Sequence, residues 1–244
     1  MIIMKKIYFT LIALLASINM FAQGWPANYS GVMLQGFSWD SYDYSQWTVL
    51  EKQADDMKGF IDLVWLPQSG KCIETTQVMG YKPYYYFNQN SSFGTEAELR
   101  SLIAKFKANG IGAIADVVVN HRNTDGWYTF PAETYKGVTY QMLSTDICKN
   151  DDGGSTATQA KKDGVSLSNN YDEGTDFGGC RDIDHKSENV QKIIKAYLKF
   201  LKEDIGYTGF RYDMVKGFSG THVADYNDAT GVEYSVAEYW DGNE

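Results

Sequence analysis

The hydrophobic positions of this chain fall into short apolar runs separated by longer amphipathic or polar stretches. Residues 32–37, 61–66 and 111–119 are almost continuously apolar, a pattern typical of parallel strands that are covered on both faces. Two later segments, 209–213 and 234–237, have the same character. The pattern therefore predicts five strands.

Apolar residues with helical spacing lie between these runs. Thr95 and Glu98 form a capping-box pattern at the start of one such segment, which ends at Asn109. The other predicted helices cover residues 47–58, 190–205 and 221–229. Strands and helices thus alternate along most of the chain.

The segment 122–182 departs from this alternation. It has no clear period and is rich in Gly, Asp, Asn, Ser and Thr. An unstructured loop of this length would be unusual inside a compact domain, so we expect a small inserted subdomain with its own short strands. The predicted division is a leader at 1–22, a main domain at 23–121 and 183–244, and the insert between its two parts.

Repeated strand–helix units predict a parallel sheet, either open and doubly wound or closed into a (β/α)8 TIM barrel. No GxGxxG motif follows the first strand, which argues against a dinucleotide site. His121, Asp213 and Glu238 all stand at the carboxyl ends of predicted strands, where barrels carry their functional residues. We therefore predict a TIM barrel of which about the first five strands are present.

The N-terminal 22 residues have the features of a secretory signal peptide. Lys5 and Lys6 precede an apolar stretch at residues 7–15, and Ala22 is a small residue suited to cleavage before Gln23. A retained membrane anchor is the alternative. The signal peptide predicts a mature protein that is secreted, extracellular or periplasmic, with no membrane contact after cleavage.

Charge and cysteine content narrow the possible partners. The formal net charge of −9 argues against nucleic acid and anionic membranes, and favours a neutral or cationic substrate. Aromatic residues make up 15% of the chain, so some are available to stack on sugars even if most form the core. The odd set Cys72, Cys148 and Cys180 is not a disulfide framework, and pairing of Cys148 with Cys180 stays open.

Arg211 and Asp213 lie two residues apart on a predicted strand, so their side chains project to the same face. A neighbouring guanidinium favours the ionised acid and is expected to lower the pKa of Asp213. Taken alone, an ordinary exposed ion pair is the better interpretation.

Three strand-end segments taken together change that interpretation. They are DVVVNH at 116–121, GFRYDMVKG at 209–217 and VAEYW at 236–240. Their order and content resemble the α-amylase family of glycoside hydrolases. Flanking segments at 34–39 (LQGFSW), 64–67 (VWLP), 113–116 (AIAD) and 182–185 (DIDH) resemble its plant-type branch, so the similarity extends over about residues 32–240.

The resemblance implies a retaining mechanism that uses two carboxyl groups, one ionised and one protonated. Asp213 matches the nucleophile, Glu238 the general acid/base and Arg211 their electrostatic support. Ala237 and the aromatic residues after Glu238 suggest a partly apolar setting that would favour its protonated form. Asp116 matches a structural acid that pairs with Arg211.

The resemblance also implies substrate and metal contacts. The substrate-binding residues would be His121, Tyr81, Lys216 and Trp240. A calcium ion would take side-chain oxygens from Asn120 and Asp182 and carbonyl oxygens from Gly179 and Gly217, with Asp176 serving a second calcium. The insert also contains the acids Asp151, Asp152, Asp172 and Glu173. Most of them are expected to be solvated.

The implied activity is retaining endo-hydrolysis of α-1,4-glucosidic bonds in starch and maltooligosaccharides, by an enzyme that is a monomer at full length. The chain stops at Glu244, before the strand on which the family carries its third catalytic carboxylate. It is therefore expected to be an N-terminal part that folds poorly alone and has little or no activity. A transglycosylase of the same family and a non-catalytic α-glucan-binding protein are the alternatives.

Overall fold

The computed structural model describes residues 24–240, so the predicted signal peptide lies outside the described residues. A parallel sheet has the strand order β1-β2-β3-β8-β9. Its strands are β1 (Met33–Gln35), β2 (Leu63–Leu66), β3 (Gly112–Val117), β8 (Gly209–Tyr212) and β9 (Tyr234–Ala237). Neighbouring strands follow chain order once the insert is set aside, as in consecutive strands of a (β/α)8 barrel. The sheet agrees with the predicted partial barrel.

Strand register places the acidic and basic residues of the sheet side by side. Asp116 on β3 is paired with Arg211 on β8, and Arg211 is paired with Val236 on β9. The ladder continues past the strand ends, where the N–H of Asp213 donates to the carbonyl of Val117 at 3.0 Å. The N–H of Glu238 donates to Tyr212 in the same way at 2.9 Å. Polar side chains from three strands therefore meet at the carboxyl edge.

The helices cover the middle of the sheet and supply much of the core. The edge strand β1 was expected to be covered on both faces, but this expectation is wrong because its side chains are exposed. They are α1 (Trp47–Met57), α2 (Glu96–Ala108), α3 (Ser155–Asp163), α4 (Glu188–Lys199) and α5 (Gly220–Thr230). The predicted capping box of α2 is confirmed, because Thr95 Oγ1 accepts the N–H of Glu98 while Glu98 Oε2 accepts the N–H of Thr95. Leu102 and Phe106 on its inner face are fully buried. Burial of each such side chain contributes about 1.5–3 kcal/mol.

The helix predicted to end at Gly206 has two parts. Regular α4 ends at Lys199, and the chain continues through a π-helical turn, Phe200–Ile205. Gly206 has a φ of 104°, a left-handed conformation that favours glycine and ends the helix. The sequence pattern located the end of the segment but not its change of helical type.

The insert begins and ends at one place on the sheet. Strand β4 (His121–Arg122), directly after β3, pairs antiparallel with β7 (Arg181–Asp182). Between them lie the hairpin β5 (Glu133–Tyr135) and β6 (Val138–Tyr140), and then α3. The register sets His121 opposite Asp182, so the base of the insert lies beside the carboxyl edge of the sheet.

The three cysteines are buried and unpaired, so Cys148 and Cys180 do not form a disulfide here. Burial raises the pKa of the Cys72 thiol to about 11 and that of Cys180 to about 12, which disfavours the reactive thiolate. Within residues 24–240, no helix combines the length and apolar character needed to cross a membrane.

His185, which follows the insert, packs against Tyr226 of α5 and gives a pH-dependent prediction. Its Nδ1 lies 2.7 Å from the hydroxyl of Tyr226, and its ring stacks on Phe218. Burial lowers the pKa of His185 to about 3, so the folded protein holds it neutral. Since the unfolded value is about 6.5, its contribution to stability is present above that pH and is lost as pH falls towards 3.

We expect the free energy of unfolding of wild type to fall between pH 7 and 4.5. The fall should be about 2–3 kcal/mol larger than that of His185→Gln, which has no group to titrate at this position. Urea unfolding of both proteins at the two pH values measures this difference. Equal losses in the two proteins would contradict the assigned titration.

Candidate active site

Arg211 is the centre of the site at the carboxyl edge of the sheet. Its Nη1 lies 2.8 Å from both Asp116 Oδ1 and Asp213 Oδ1, and its Nη2 lies 2.8 Å from Glu238 Oε1. The predicted pairing of Arg211 with Asp213 is confirmed, as is its pairing with Asp116. One buried guanidinium therefore joins carboxylates from β3, β8 and the end of β9, a role suited to its planar set of donors.

Asp116 lies at the bottom of this arrangement. Its Oδ2 accepts hydrogen bonds from the Tyr81 hydroxyl at 3.0 Å and from Trp65 Nε1 at 3.2 Å. Burial raises the pKa of Asp116 to about 6, with Arg211 and these hydrogen bonds opposing the rise. Asp116 is thus enclosed and fully bonded, and it fixes Arg211 and Tyr81 in place.

Asp213 corrects one expectation from the sequence. Arg211 was expected to lower its pKa, but burial and the charge of Asp116 raise it to about 7, while Arg211 opposes the rise. The prediction was wrong in its net direction because one guanidinium serves three carboxylates and the residue is buried. The fraction of Asp213 that is ionised therefore depends on how the positive charge of Arg211 is shared among the three carboxyl groups.

Glu238 is the most accessible of the three acids, with a side chain 35% exposed. One carboxylate oxygen pairs with Arg211, and the other accepts the N–H of Met214 at 3.0 Å. The partly apolar setting expected from its sequence neighbours does not describe these contacts, which are polar. Because Asp213 and Glu238 bind different nitrogens of one guanidinium, their carboxylates lie near each other.

Tyr81 and His121 are linked to these acids through Asp116. The Tyr81 ring stacks on exposed Trp39 with centroids 5.7 Å apart and planes 6° apart. His121 is 1% exposed, and its Nε2 lies 2.8 Å from the Tyr81 carbonyl. Burial lowers the pKa of His121 to about 4, so the neutral ring donates this hydrogen bond. The ring also stacks on Phe177, and its contact with a sugar stays a prediction.

Lys216 and Trp240, predicted to bind substrate, lie together just beyond β8 and β9. Lys216 Nζ is 3.0 Å from the centroid of the Trp240 ring, within the range of a cation–π contact. Trp240 and its neighbour Tyr239 are exposed. The structure thus places a cation and two aromatic rings next to Glu238.

A second polar cluster stands at the base of the insert. Asp151, Asp176 and Asp182 can each direct one oxygen so that the three atoms lie within 4.8 Å of one another. Asn120 Nδ2 donates to Asp182 Oδ1 at 3.1 Å. A Cβ on Gly217 would overlap Asn120 Oδ1, so only glycine fits against this amide.

This cluster differs from the predicted arrangement at Asp151. Asp151 was expected to be solvated but is fully buried, and it accepts hydrogen bonds from the Asp182 N–H at 2.6 Å and from Arg181 at 2.7 Å. Asp176 lies in the same cluster as Asp182, and its service to a second calcium stays a prediction. Gly179, in the turn before Asp182, donates its N–H to the Phe177 carbonyl at 2.8 Å.

The carboxyl groups of the acidic cluster resist full ionisation in the absence of a cation. Burial and contact with Asp176 raise the pKa of Asp182 to about 10, and burial raises that of Asp172 to about 6. Asp172 Oδ2 is buried and has no hydrogen-bond partner among the described residues. An oxygen-rich set of this kind fits a hard cation.

Several further residues shape the site although no sequence motif singles them out. Trp39 follows β1 and Trp65 lies near the end of β2. Their position at the carboxyl ends of strands is a signal that the sequence already contains. Arg122 directly follows His121, whereas Glu133 lies in the insert without any periodic pattern around it. Both contact the loop that carries Tyr81.

Comparisons with known proteins agree with this arrangement. The family described as "Alpha amylase, catalytic domain" matches residues 61–240. Chloroplastic alpha-amylase 3 of Arabidopsis thaliana is 33% identical over 218 residues, which cover 86% of this chain and 22% of that protein. Probable alpha-amylase 2 of the same plant is 30% identical over 214 residues, covering 86% and 47%.

A solved structure, wild-type alpha-amylase I of Eisenia fetida, matches with a TM-score of 0.63 at 18% identity. The match covers 91% of this chain and 48% of that one. At this identity the likeness shows the fold alone, and it confirms the predicted partial barrel. The chain spans less than half the length of each of these proteins.

Proposed function

This chain belongs to the α-amylase catalytic-domain family, and on that basis we propose that it carries the site of a retaining enzyme. The proposed reaction is hydrolysis of internal α-1,4-glucosidic bonds in starch and maltooligosaccharides. The observation that carries the proposal is the buried guanidinium of Arg211, which pairs with the carboxylates of both Asp213 and Glu238. Retaining glycosidases need two carboxyl groups placed close together in this way.

In the proposed mechanism, ionised Asp213 attacks the anomeric carbon while protonated Glu238 gives its proton to the leaving glycosidic oxygen. The carbon–oxygen bond of the substrate breaks as the bond to Asp213 forms. Glu238 then takes a proton from water, which displaces Asp213 with the original anomeric configuration. Arg211 supports these two protonation states. When Glu238 is protonated, the positive charge of Arg211 is shared only by Asp213 and Asp116, which favours ionised Asp213.

The sugar-binding surface in this proposal is formed by the rings and cation around the two acids. The stacked Tyr81 and Trp39 offer flat apolar faces to a pyranose ring. Lys216 and Trp240 would contact the leaving-group side, next to Glu238. His121 contributes through its hydrogen bond to Tyr81, and its direct contact with the sugar is part of the proposal.

Incubation of the complete natural protein with maltoheptaose, followed by proton NMR, tests the function. A retaining hydrolase cleaves internal bonds of maltoheptaose and gives shorter oligosaccharides. Their new reducing ends appear initially as the α-anomer. Products longer than the substrate would indicate transglycosylation, and binding without turnover would indicate a glucan-binding protein. Absence of both binding and turnover would refute the proposal.

We propose that the acidic cluster holds a calcium ion. The carboxylates of Asp182 and Asp176 and the carbonyls of Gly217 and Gly179 would supply its ligands. The Asn120 amide oxygen would join them once the amide, whose nitrogen donates to Asp182 here, turns over. These oxygen donors fit the preferences of Ca²⁺, and a bound cation would favour the ionised form of the carboxyl groups. The bound ion would neutralise the cluster and tie the insert at 122–182 to the main domain at 23–121 and 183–244.

Calcium is expected to stabilise the folded protein, by about 2.7 kcal/mol at 100 times its dissociation constant. Thermal unfolding with added Ca²⁺ and with a chelator measures this effect. Asp182→Asn should abolish most of the shift, whereas Asp163→Asn, an exposed acid of the same insert, should retain it. Equal shifts in both variants would contradict the proposed site.

We further propose that the protein acts after export from the cytoplasm, as a monomer. The first 22 residues support this location through their charged and apolar pattern. Cleavage between Ala22 and Gln23, visible as the N-terminal sequence of the exported protein, is the corresponding observation.

A further inference from the structure

A buried ion pair lies behind the candidate site, between the base of the insert and its hairpin. Arg122 Nη2 on β4 is 2.8 Å from Glu133 Oε2 on β5, and the two side chains are 1% and 8% exposed. Removing two charges from water costs several kcal/mol each unless further hydrogen bonds satisfy them. The position of those further bonds therefore indicates what the pair holds.

Both partners direct their remaining bonds to one short piece of backbone. Arg122 donates from Nε and Nη2 to the carbonyl of Tyr84, at 3.1 and 2.8 Å. The Glu133 carboxylate accepts the N–H groups of Tyr86 at 2.9 Å and Phe87 at 2.8 Å. The Arg122 guanidinium also lies 4.1 Å from the centroid of the Tyr86 ring. The ion pair thus holds residues 84–87 through both kinds of backbone group, a carbonyl bound by Arg122 and two N–H groups bound by Glu133.

The same loop carries Tyr81, three residues earlier. The Tyr81 carbonyl accepts a hydrogen bond from His121 Nε2. The carbonyl of Pro83, two residues later, accepts the N–H of Asn123 at 2.9 Å. The consecutive residues His121, Arg122 and Asn123 therefore hold successive points of the loop. At its free end, the Tyr81 hydroxyl bonds to Asp116, the acid that also binds Arg211.

We propose that Arg122 and Glu133 are positioning residues that set the Tyr81 ring against Asp116 and so fix one wall of the sugar-binding space. The inference rests on the proposed function for its consequence in catalysis. Neither side chain reaches the carboxylates of Asp213 or Glu238, and both act through the loop. A displacement of about 1 Å at a substrate-positioning group can lower a rate by about a hundredfold.

A purely structural anchor is the competing interpretation, and the two differ in what a variant changes. An anchor lowers stability and leaves the properly folded fraction fully active. A positioning pair lowers turnover in the folded protein, because the substrate still binds but sits less well for attack. The test therefore needs a kinetic measurement and a local structural measurement on the same folded samples.

The variants are Glu133→Gln, which keeps an acceptor but loses the charge, and Arg122→Lys, which keeps the charge but loses the planar fork of donors. Lys136→Gln is the matched control. Lys136 pairs the turn of the same hairpin with Glu203 and Asp204 at 3.5 and 3.4 Å, and its ion pairs do not include the Tyr81 loop. All are made in the complete natural protein and assayed well below their melting temperatures.

We expect kcat on maltoheptaose to fall about tenfold to a hundredfold in both variants, with KM changed by less than about threefold. Hydrogen exchange of the peptide containing residues 81–87 should become faster, while exchange in the main sheet stays as in wild type. Lys136→Gln should match wild type in both measurements.

Unchanged kcat in folded Glu133→Gln and Arg122→Lys would overturn the inference, whether or not their melting temperatures fall. So would unchanged exchange in residues 81–87. Wild type that neither binds nor cleaves maltoheptaose would instead refute the proposed function. In that case the exchange measurement still decides whether the ion pair orders the loop.

Discussion

Arg211→Met is expected to lower the free energy of unfolding by about 3–5 kcal/mol at pH 8, because it removes one partner of a buried ion-pair network. Asp116 and Asp213 would remain buried without their cation, and Glu238 would lose the same partner. Methionine is close to arginine in length and apolar, so the loss of charge outweighs the loss of packing. Urea unfolding of wild type and variant measures the difference.

The same variant should be less destabilised at lower pH. Burial already raises the pKa of Asp116 to about 6 and that of Asp213 to about 7 in the presence of Arg211. A raised carboxyl pKa means that the folded state binds protons more tightly, so stability from these groups is present at low pH and is lost as pH rises through 6 to 7. Protonation removes the charges that Arg211 would neutralise, and the difference between the proteins should shrink towards pH 5.

Lys105→Met is the control for the general effect of removing a cation. Its partner is Asp55 at 2.6 Å, and both side chains are exposed to solvent. Exposed pairs contribute about 0–1 kcal/mol, so this variant should stay close to wild type at both pH values. If Arg211→Met and Lys105→Met lost equal stability, the network at the carboxyl edge would not have the strength assigned to it.

Glu238→Gln is expected to lower kcat on maltoheptaose by about 10²- to 10⁴-fold, the usual contribution of general acid–base catalysis. The amide can still accept the N–H of Met214, so the local fold should persist. Substrate binding should change little because the aromatic surface of Tyr81 and Trp39 is untouched. Initial rates and direct binding measurements separate these two effects.

A substrate with an acidic leaving group distinguishes the two proposed roles. A nitrophenyl maltooligosaccharide needs no protonation of its leaving oxygen, so the first step should recover in Glu238→Gln. The same substrate should not recover turnover in Asp213→Asn, which lacks the attacking oxygen. Recovery in the Asp213 variant and not in the Glu238 variant would reverse the proposed roles.

Local patterns predicted the elements that position the site. Continuous apolar runs located the strands, and the capping box at Thr95 located the start of α2. The alternation of side chains on β8 was enough to place Arg211 and Asp213 together, since it depends only on strand geometry. These features are encoded within a few neighbouring residues.

The electrostatic state of the site was not encoded locally. The direction of the Asp213 pKa depends on its burial and on Asp116 from another strand, neither of which the pair Arg211 and Asp213 reveals. Asp151 looked like one of several loop acids, yet it is enclosed by contacts with Arg181 and with the Asp182 backbone. Such contacts join residues about thirty positions apart, so only the folded chain shows them.

The short ribbon at the base of the insert has a consequence for how this protein can vary. Because His121 and Asp182 are paired neighbours, the chain leaves the sheet and returns at one point. The entropic cost of closing a loop rises by only about 0.6 kcal/mol for each doubling of its length. Evolution or design can therefore lengthen or exchange the middle of the insert while the barrel strands keep their alignment. The base, where the acidic cluster and Arg122 stand, is the part that has to stay as it is.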